Sequence, residues 1–311
     1  MASTNQLITP MIWFDYQAEE AARFYTSVFP NSQSGRITRY VKEGHEIHGR
    51  EEGSVMTIDF EVEEQKFCFL NGGPIFKINP SISFFATFRT ENETDAIWNA
   101  LAEGGSVLMP YGPYPWSPKY GWLQDKFGVS WQIAWAGEDE TGNQSIVTSL
   151  LFVGEHCGQA ENAMDLYTSI FKNSKVEEVL HYGANESPEK EGTIKYAQFS
   201  LSGQTFMAMD SDLQHNFSFN EAVSLMVYCD TQDEIDYYWD KLSEGGDPKA
   251  QVCGWLKDKF GVSWQVVPSI MDDMLQDGNT EKVERVTKTF LKMRKFDIEE
   301  LKRAFNGEQV V

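Results

Sequence analysis

The sequence predicts an α+β protein made of duplicated, paired βαβββ modules followed by C-terminal helices. Three observations carry this prediction. Residues 121–132 read GWLQDKFGVSWQ and return at 254–265 as GWLKDKFGVSWQ, identical at eleven of twelve positions. Residues 18–32 (AEEAARFYTSVFPNS) are matched by 160–174 (AENAMDLYTSIFKNS). Each half also runs strand, helix, three strands, then strand, helix, hairpin, so a module is written about twice per half. At 311 residues the length fits two domains of ordinary size. The expected division is residues 1–137, residues 146–270 and a helical extension at 271–311.

Taken in order, residues 7–14 read as a strand. Apolar residues at Ala21, Ala22, Phe24, Tyr25 and Val28 have helical spacing, and Pro30-Asn31-Ser32 stops that helix. Residues 36–41 form a second strand, and 42–53 a charged loop holding His45 and His48. Met56, Ile58, Phe60 and Val62 alternate with Thr57, Asp59 and Glu61, as in a half-buried strand. Residues 66–70 make the next strand, ended by Asn71-Gly72-Gly73-Pro74. Residues 81–89 are a strand and 94–103 a helix closed by Gly104-Gly105. A loop rich in proline and aromatics follows at 109–116. Residues 120–124 and 129–135 form a hairpin with Asp125 and Gly128 at its tip. The polar stretch 137–145 reads as a linker, after which the order repeats. The second copy shortens the aromatic loop: Gly105 leads to Gly121 in sixteen steps and Gly246 to Gly254 in eight. Beyond Pro268 two helices are expected, the second near 298–305 with Asp297 as its N-cap.

The net charge of −21, from 26 Lys and Arg against 47 Asp and Glu, argues against a nucleic-acid partner, because phosphate contacts need clustered cations. It favours cationic ligands. Cys68, Cys157, Cys229 and Cys253 form no CxxC pair. No run of about 18 apolar residues is present to span a membrane, and residues 1–6 do not read as a signal peptide. A reduced, cytoplasmic protein is the expectation. No GxGxxG or P-loop pattern occurs.

The residues Ile8-Thr9-Pro10, Trp13-Phe14-Asp15, Ala18-Glu19-Glu20-Ala21, Phe24-Tyr25, Phe29-Pro30-Asn31, Asn71-Gly72-Gly73-Pro74 and the repeated 121–132 block resemble the vicinal oxygen chelate (glyoxalase and bleomycin resistance) superfamily. The closer resemblance is to its PhnB-like branch, often labelled a 3-demethylubiquinone methyltransferase domain. It covers essentially the whole chain as two tandem domains. It implies a glyoxalase fold, and an intramolecular pseudo-dimer or a homodimer, since single-domain relatives dimerise. Nothing resembles a glycine-rich loop for S-adenosylmethionine, so the methyltransferase label is not supported by the residues. Metal-dependent relatives chelate a divalent ion with His, Gln and Glu. Aligned residue by residue, those positions fall near Pro10 and Phe152, Ser83 and Ser224, Asn71 and Asp210, and on Gln132 and Gln265. Such a set holds a divalent cation poorly, so neither a metal nor another cofactor is expected.

Counting alternate residues from those positions predicts a cavity lined by Phe14, Phe60, Phe69, Asn71 and Gln132 in the first half. The second half contributes His156, Asp210 and Gln265. Trp116, in the aromatic loop, is expected to lid it or fill the seam. Aromatic cavities with few polar groups suit small organic ligands, and aromatics in an acidic protein suit cations. Three functions stay open. One is a metal-free protein that binds or sequesters an aromatic or cationic small molecule. The second is a metal-dependent lyase, isomerase or dioxygenase, and the third an interaction protein with degenerate pockets. No complete catalytic constellation is visible.

Overall fold

A computed structural model describes residues 6–135, 137 and 146–308. The expected linker therefore lies outside the described residues except for Gly137, as do residues 1–5. Four modules follow one another. The first comprises β1 (Ile8–Phe14), α1 (Ala18–Val28), β2 (Ser32–Arg39), a short α2 (His45–His48), β3 (Val55–Val62) and β4 (Gln65–Asn71). The second comprises β5 (Ile82–Phe88), α3 (Glu91–Ala102), β6 (Ser106–Tyr114), β7 (Ser117–Gln124) and β8 (Ser130–Trp135). The third comprises β9 (Ile146–Val153), α4 (Ala160–Ile170), β10 (Lys175–His181), β11 (Ile194–Leu201) and β12 (Gln204–Ser211). The fourth comprises β13 (Val223–Cys229), α5 (Gln232–Ser243), β14 (Trp255–Lys257) and β15 (Ser263–Pro268). The chain ends in α6 (Ile270–Leu275), α7 (Thr280–Phe290) and α8 (Ile298–Asn306).

The sheets cross the sequence halves. Sheet A has the order β14-β15-β13-β1-β4-β3-β2 and joins the first and fourth modules. Sheet B has the order β10-β11-β12-β9-β5-β8-β7-β6 and joins the third and second. Antiparallel seams make the joins. In one, β1 pairs β13 from Ile8↔Val227 to Ile12↔Val223; in the other, β5 pairs β9 from Ile82↔Leu150 to Ala86↔Ile146. The two halves thus associate as an intramolecular pair.

Each half nevertheless has its own packed core, because its two helices lie between its share of sheet A and its share of sheet B. In the first half Phe29 of the α1 C-cap meets Trp131 at 5.1 Å between ring centroids, and Phe67 meets Phe84 at 4.9 Å. In the second, Phe171 lies 5.6 Å from Trp264 and 5.1 Å from Tyr238.

The repeated 121–132 block has a physical explanation. Oδ1 of Asp125 accepts the backbone N–H groups of Phe127 and Val129, at 2.8 and 3.1 Å, and so closes the turn. Its Oδ2 accepts Trp131 Nε1–H at 3.0 Å and the Tyr25 hydroxyl of α1 at 2.6 Å. Gly128, at φ +86°, supplies the left-handed residue the turn requires. Asp258, Phe260, Val262, Trp264, Tyr167 and Gly261 reproduce the arrangement. One carboxylate therefore ties hairpin, sheet and helix together in each half.

Two expectations are corrected. The aromatic stretch 109–116 is mostly strand, since β6 carries Pro110 and Pro113. Edge position tolerates prolines, and the pairing with β7 shifts register between Val107 and Met109, Met109 and Gly112, and Gly112 and Tyr114. The charged loop at 42–53 contains the single-turn helix α2. Asp297 does cap α8, accepting Glu300 N–H at 2.8 Å. Among the described residues no helix is long and apolar enough to cross a membrane.

Candidate functional site

Strand alternation divides each sheet into a face packed on helices and an opposite face. On sheet B the opposite face is open. It floors a cleft of about 1560 Å³ whose lining includes Phe85 and Thr87 of β5, Gln132 and Ala134 of β8, Val147 and Leu151 of β9, and Met207 and Met209 of β12. Leu108, Met109 and Trp116 of the β6–β7 hairpin form one wall; Glu178 and Leu180 of β10, with Leu213, form the other. The cleft is therefore assembled from both sequence halves.

Gln132 is the most constrained polar group of the floor. Its Oε1 accepts the Tyr120 hydroxyl at 2.7 Å, and its Nε2 donates to Ser83 Oγ at 2.8 Å. One amide N–H and one lone pair stay available. Beside it, Ser149 lies opposite Ser83 across the seam, and its Oγ is buried with no hydrogen-bond partner among the described residues. Burial pushes the Tyr120 hydroxyl well up, so it stays a donor.

Charge gathers at the rim. Glu63 and Glu64, in the β3–β4 turn, line the cleft, as do Glu178 and Glu189. Glu189 accepts Ser211 Oγ–H at 2.9 Å and Asp212 N–H at 2.6 Å. Lys195 also lines the cleft and pairs with Glu186. His215 contacts Ser211 Oγ at 3.0 Å, and burial lowers its pKa from the usual imidazole value, which favours the neutral ring.

Of the residues expected to line a cavity, the structure brings Gln132 and Trp116 into this cleft. Trp116 is 62% exposed on the rim, 4.9 Å from Tyr114. Phe14, Phe60 and Phe69 are corrected. They face α1, are at most 2% exposed, and pack on one another, Phe14 edge-on to Phe69 at 5.2 Å and Phe60 stacked on Phe69 at 5.1 Å.

Asn71 is also on the helix side. Its Oδ1 accepts Ala18 N–H at 2.9 Å and pins the start of α1. Asp210 does the same for α4, accepting Gly158 N–H at 2.7 Å and Ala160 N–H at 3.3 Å, with Ile194 N–H at 2.9 Å on its other oxygen. It touches the end of the cleft, but its carboxylate is spent on backbone. His156 ends a 3₁₀ turn 3.8 Å from Glu155, in a separate shallow groove with Asp165 and Lys259. Gln265 lies on sheet A and donates to Ser224 Oγ at 2.9 Å.

The physical reason for these corrections is parity. Alternation from Pro10 predicts a cavity face that includes Phe14, whereas Thr9, Met11 and Trp13 share the face opposite Phe14. A one-residue offset moves every side chain of a strand to the other face. The residues missed, Leu151, Met207 and Met209, follow by alternation once Gln132 is fixed and β9 is known to pair with β5.

A divalent cation requires several carboxylate, imidazole or thiolate donors converging on one point. Around Gln132 stand the Ser83 hydroxyl, the Tyr120 phenol, the Trp122 indole and the Phe85 ring. Among the described residues no three His, Cys, Asp or Glu side chains come together in a metal-holding group. This donor set does not fit the metal of the superfamily's chelating members.

The family profile described as 3-demethylubiquinone-9 3-methyltransferase matches twice, over residues 6–134 and 144–267. No curated protein compared with the chain matches it. Among solved structures, a PhnB protein of Bacillus cereus, described as a putative member of that methyltransferase family, is 41% identical. It is covered over its full length by 42% of this chain, with a TM-score of 0.39. Glyoxalase I of Zea mays is 12% identical over 84% of this chain and 93% of its own, with a TM-score of 0.50, a likeness of fold alone. Matched over both halves by one profile, the chain belongs to the PhnB-like 3-demethylubiquinone-9 3-methyltransferase family, in a tandem form with the glyoxalase fold.

Proposed function

We propose that the chain binds a small organic molecule carrying an aromatic or cationic part in the sheet B cleft, and that it does so without a divalent metal. The observation that carries this reading is the floor itself. Phe85, Leu151, Met207 and Met209 present a broad apolar surface, with a few polar groups such as Gln132 and Thr87 set into it. Small-molecule sites have this character, mostly apolar with a few placed polar groups that fix orientation. Thioethers adapt to varied shapes, and Trp116 offers an aromatic face at the mouth. The acidic rim raises the local concentration of cations. Sequestration in the manner of bleomycin resistance proteins fits these features. No methyl transfer is assigned to the cleft.

The test is titration of the purified chain with the cationic aromatic dye acridine orange, followed by tryptophan quenching and by thermal shift. One dye per chain is expected, with affinity unchanged by chelator. Met207→Arg, which places a guanidinium in the floor, is expected to weaken binding at least tenfold. Binding that appears only with an added divalent ion, or that ignores Met207→Arg, overturns the reading.

A further inference from the structure

The face of sheet A that carries Gln265 repeats the floor of the cleft. Gln265 donates to Ser224 at 2.9 Å, as Gln132 donates to Ser83 at 2.8 Å. Trp255 stands opposite Gln265 on β14, as Trp122 stands opposite Gln132 on β7. Ser263, which holds the place of Ser130 in the first half, has its Oγ buried without a hydrogen-bond partner among the described residues. Both seams thus carry a glutamine amide held by a serine, beside an aromatic ring.

What differs is the cover. On sheet B the counterpart hairpin is long, with β6 and β7 walling the cleft. On sheet A it shrinks to the three residues of β14, and the chain beyond β15 takes its place. That segment is tied to both outer strands of the sheet. Asp272 of α6 accepts from Arg36 of β2 at 2.7 Å. After α7, Leu291 packs against Gly44, where an added Cβ would lie 2.5 Å from its Cδ1. The carbonyls of Met293 and Arg294 accept Cys253 N–H at 2.8 Å and Gly254 N–H at 2.9 Å, just before β14. Met271, Met274, Met293 and Phe296 are buried. The segment therefore runs from one edge of sheet A to the other and supplies its own thioethers and phenyl ring.

We propose that residues 269–308 are an internal occupant of a second small-molecule site, on the Gln265 face of sheet A, which takes the same class of ligand as the cleft once the segment is displaced. The proposal rests on the small-molecule reading of the cleft. Besides these edge ties, the segment is held to α5, where Gln232 donates to Phe296 O at 3.1 Å and accepts Ile298 N–H at 2.9 Å and Asp236 pairs with Lys295 at 2.6 Å; α6 itself is held chiefly through Arg36. The Arg36 contact is shared among Asp59 at 2.8 Å, Asp272 at 2.7 Å and Asp273 at 4.0 Å. One cation thus answers three carboxylates, and removing Asp272 leaves Arg36 still paired with Asp59, so lifting α6 strands no charge at Arg36.

The test uses the full chain and acridine orange, with stoichiometry read by equilibrium dialysis. Wild type is expected to bind one dye. The double variant Asp272→Lys with Leu291→Glu sets a cation beside Arg36 and a charge against the α2 loop, and is expected to bind two. Adding Met207→Arg to it is expected to return the count to one. A double variant that gains no binding overturns the proposal. Failure of the cleft reading is seen separately, as absence of the Met207-sensitive site in wild type. If the double variant does not fold, hydrogen exchange on wild type decides. Dye at a hundredfold above cleft saturation is expected to speed amide exchange over 280–306 at least threefold, and unchanged exchange overturns the proposal.

Discussion

Asp125 and Asp258 are the residues on which each half turns. Burial pushes both carboxyls up to about 6, against the opposing pull of a tyrosine hydroxyl, an indole N–H and two backbone N–H groups. Asp272 also rises to about 6, through burial, with Arg36 opposing. The native state then takes up protons more readily than the unfolded chain, whose aspartates titrate near 3.9. The stability these groups contribute is fully present below about pH 3.9 and is lost as pH rises through about 6. Denaturant midpoints are expected to fall between pH 5 and pH 7, and a midpoint that rises across that interval contradicts the assignment. Removing the carboxylate by Asp125→Ala leaves four donors unpaired and is expected to cost about 3–5 kcal/mol.

The helix clamps give a finer test at the same scale. Asn71 both accepts from Ala18 and donates to Val55 O at 3.1 Å and to Glu19 at 2.9 Å. Asp210 only accepts. Asn71→Asp loses both donations and repels Glu19, so it is expected to cost about 1–3 kcal/mol despite the precedent of Asp210. Chemical denaturation measures it.

Among the elements, the β6–β7 hairpin distinguishes the open face from the covered one. Trp116 stands on it with little packing of its own. Trp116→Ala is expected to leave the melting temperature within about 2 °C and to weaken dye binding about tenfold, a typical loss for an aromatic contact. Equal loss of both would make the residue structural.

How far the sequence reveals these elements depends on what signals each one. The repeated turn is legible because its chemistry is local: Asp125 and Gly128 lie within four residues of the groups they serve. The edge strand β10 is not, since six of its seven residues are exposed and no alternation survives. The face that bears the cleft is illegible for a different reason. Phe14, Phe60 and Phe69 look like an aromatic pocket, and apolarity alone does not separate a pocket from a helix-packed core. What extends their sheet is β13 of the other half, paired with β1 from Ile8↔Val227 to Ile12↔Val223. That pairing spans more than two hundred residues of chain and leaves no local signal.

In the whole molecule, two seams hold the halves together, and their strands are central rather than peripheral in both sheets. Separating the halves would expose four unpaired strand edges at once, with the polar backbone groups they carry. A chain cut between residues 138 and 145 is therefore expected to migrate as one particle on gel filtration and to unfold in one transition, whereas two separating fragments would refute the continuity of the sheets. The crossing of sheets between halves also changes what mutation can reach. In a dimer of identical chains every substitution appears in both binding faces, so neither is altered alone. Here the two faces are encoded by different stretches of one gene. A lengthened hairpin remodels one and a C-terminal extension seals the other, and each alteration is heritable without its mirror image. The fusion turns a symmetric pair into two independently editable surfaces, and the contrast between an open sheet B and a covered sheet A is what such freedom leaves behind.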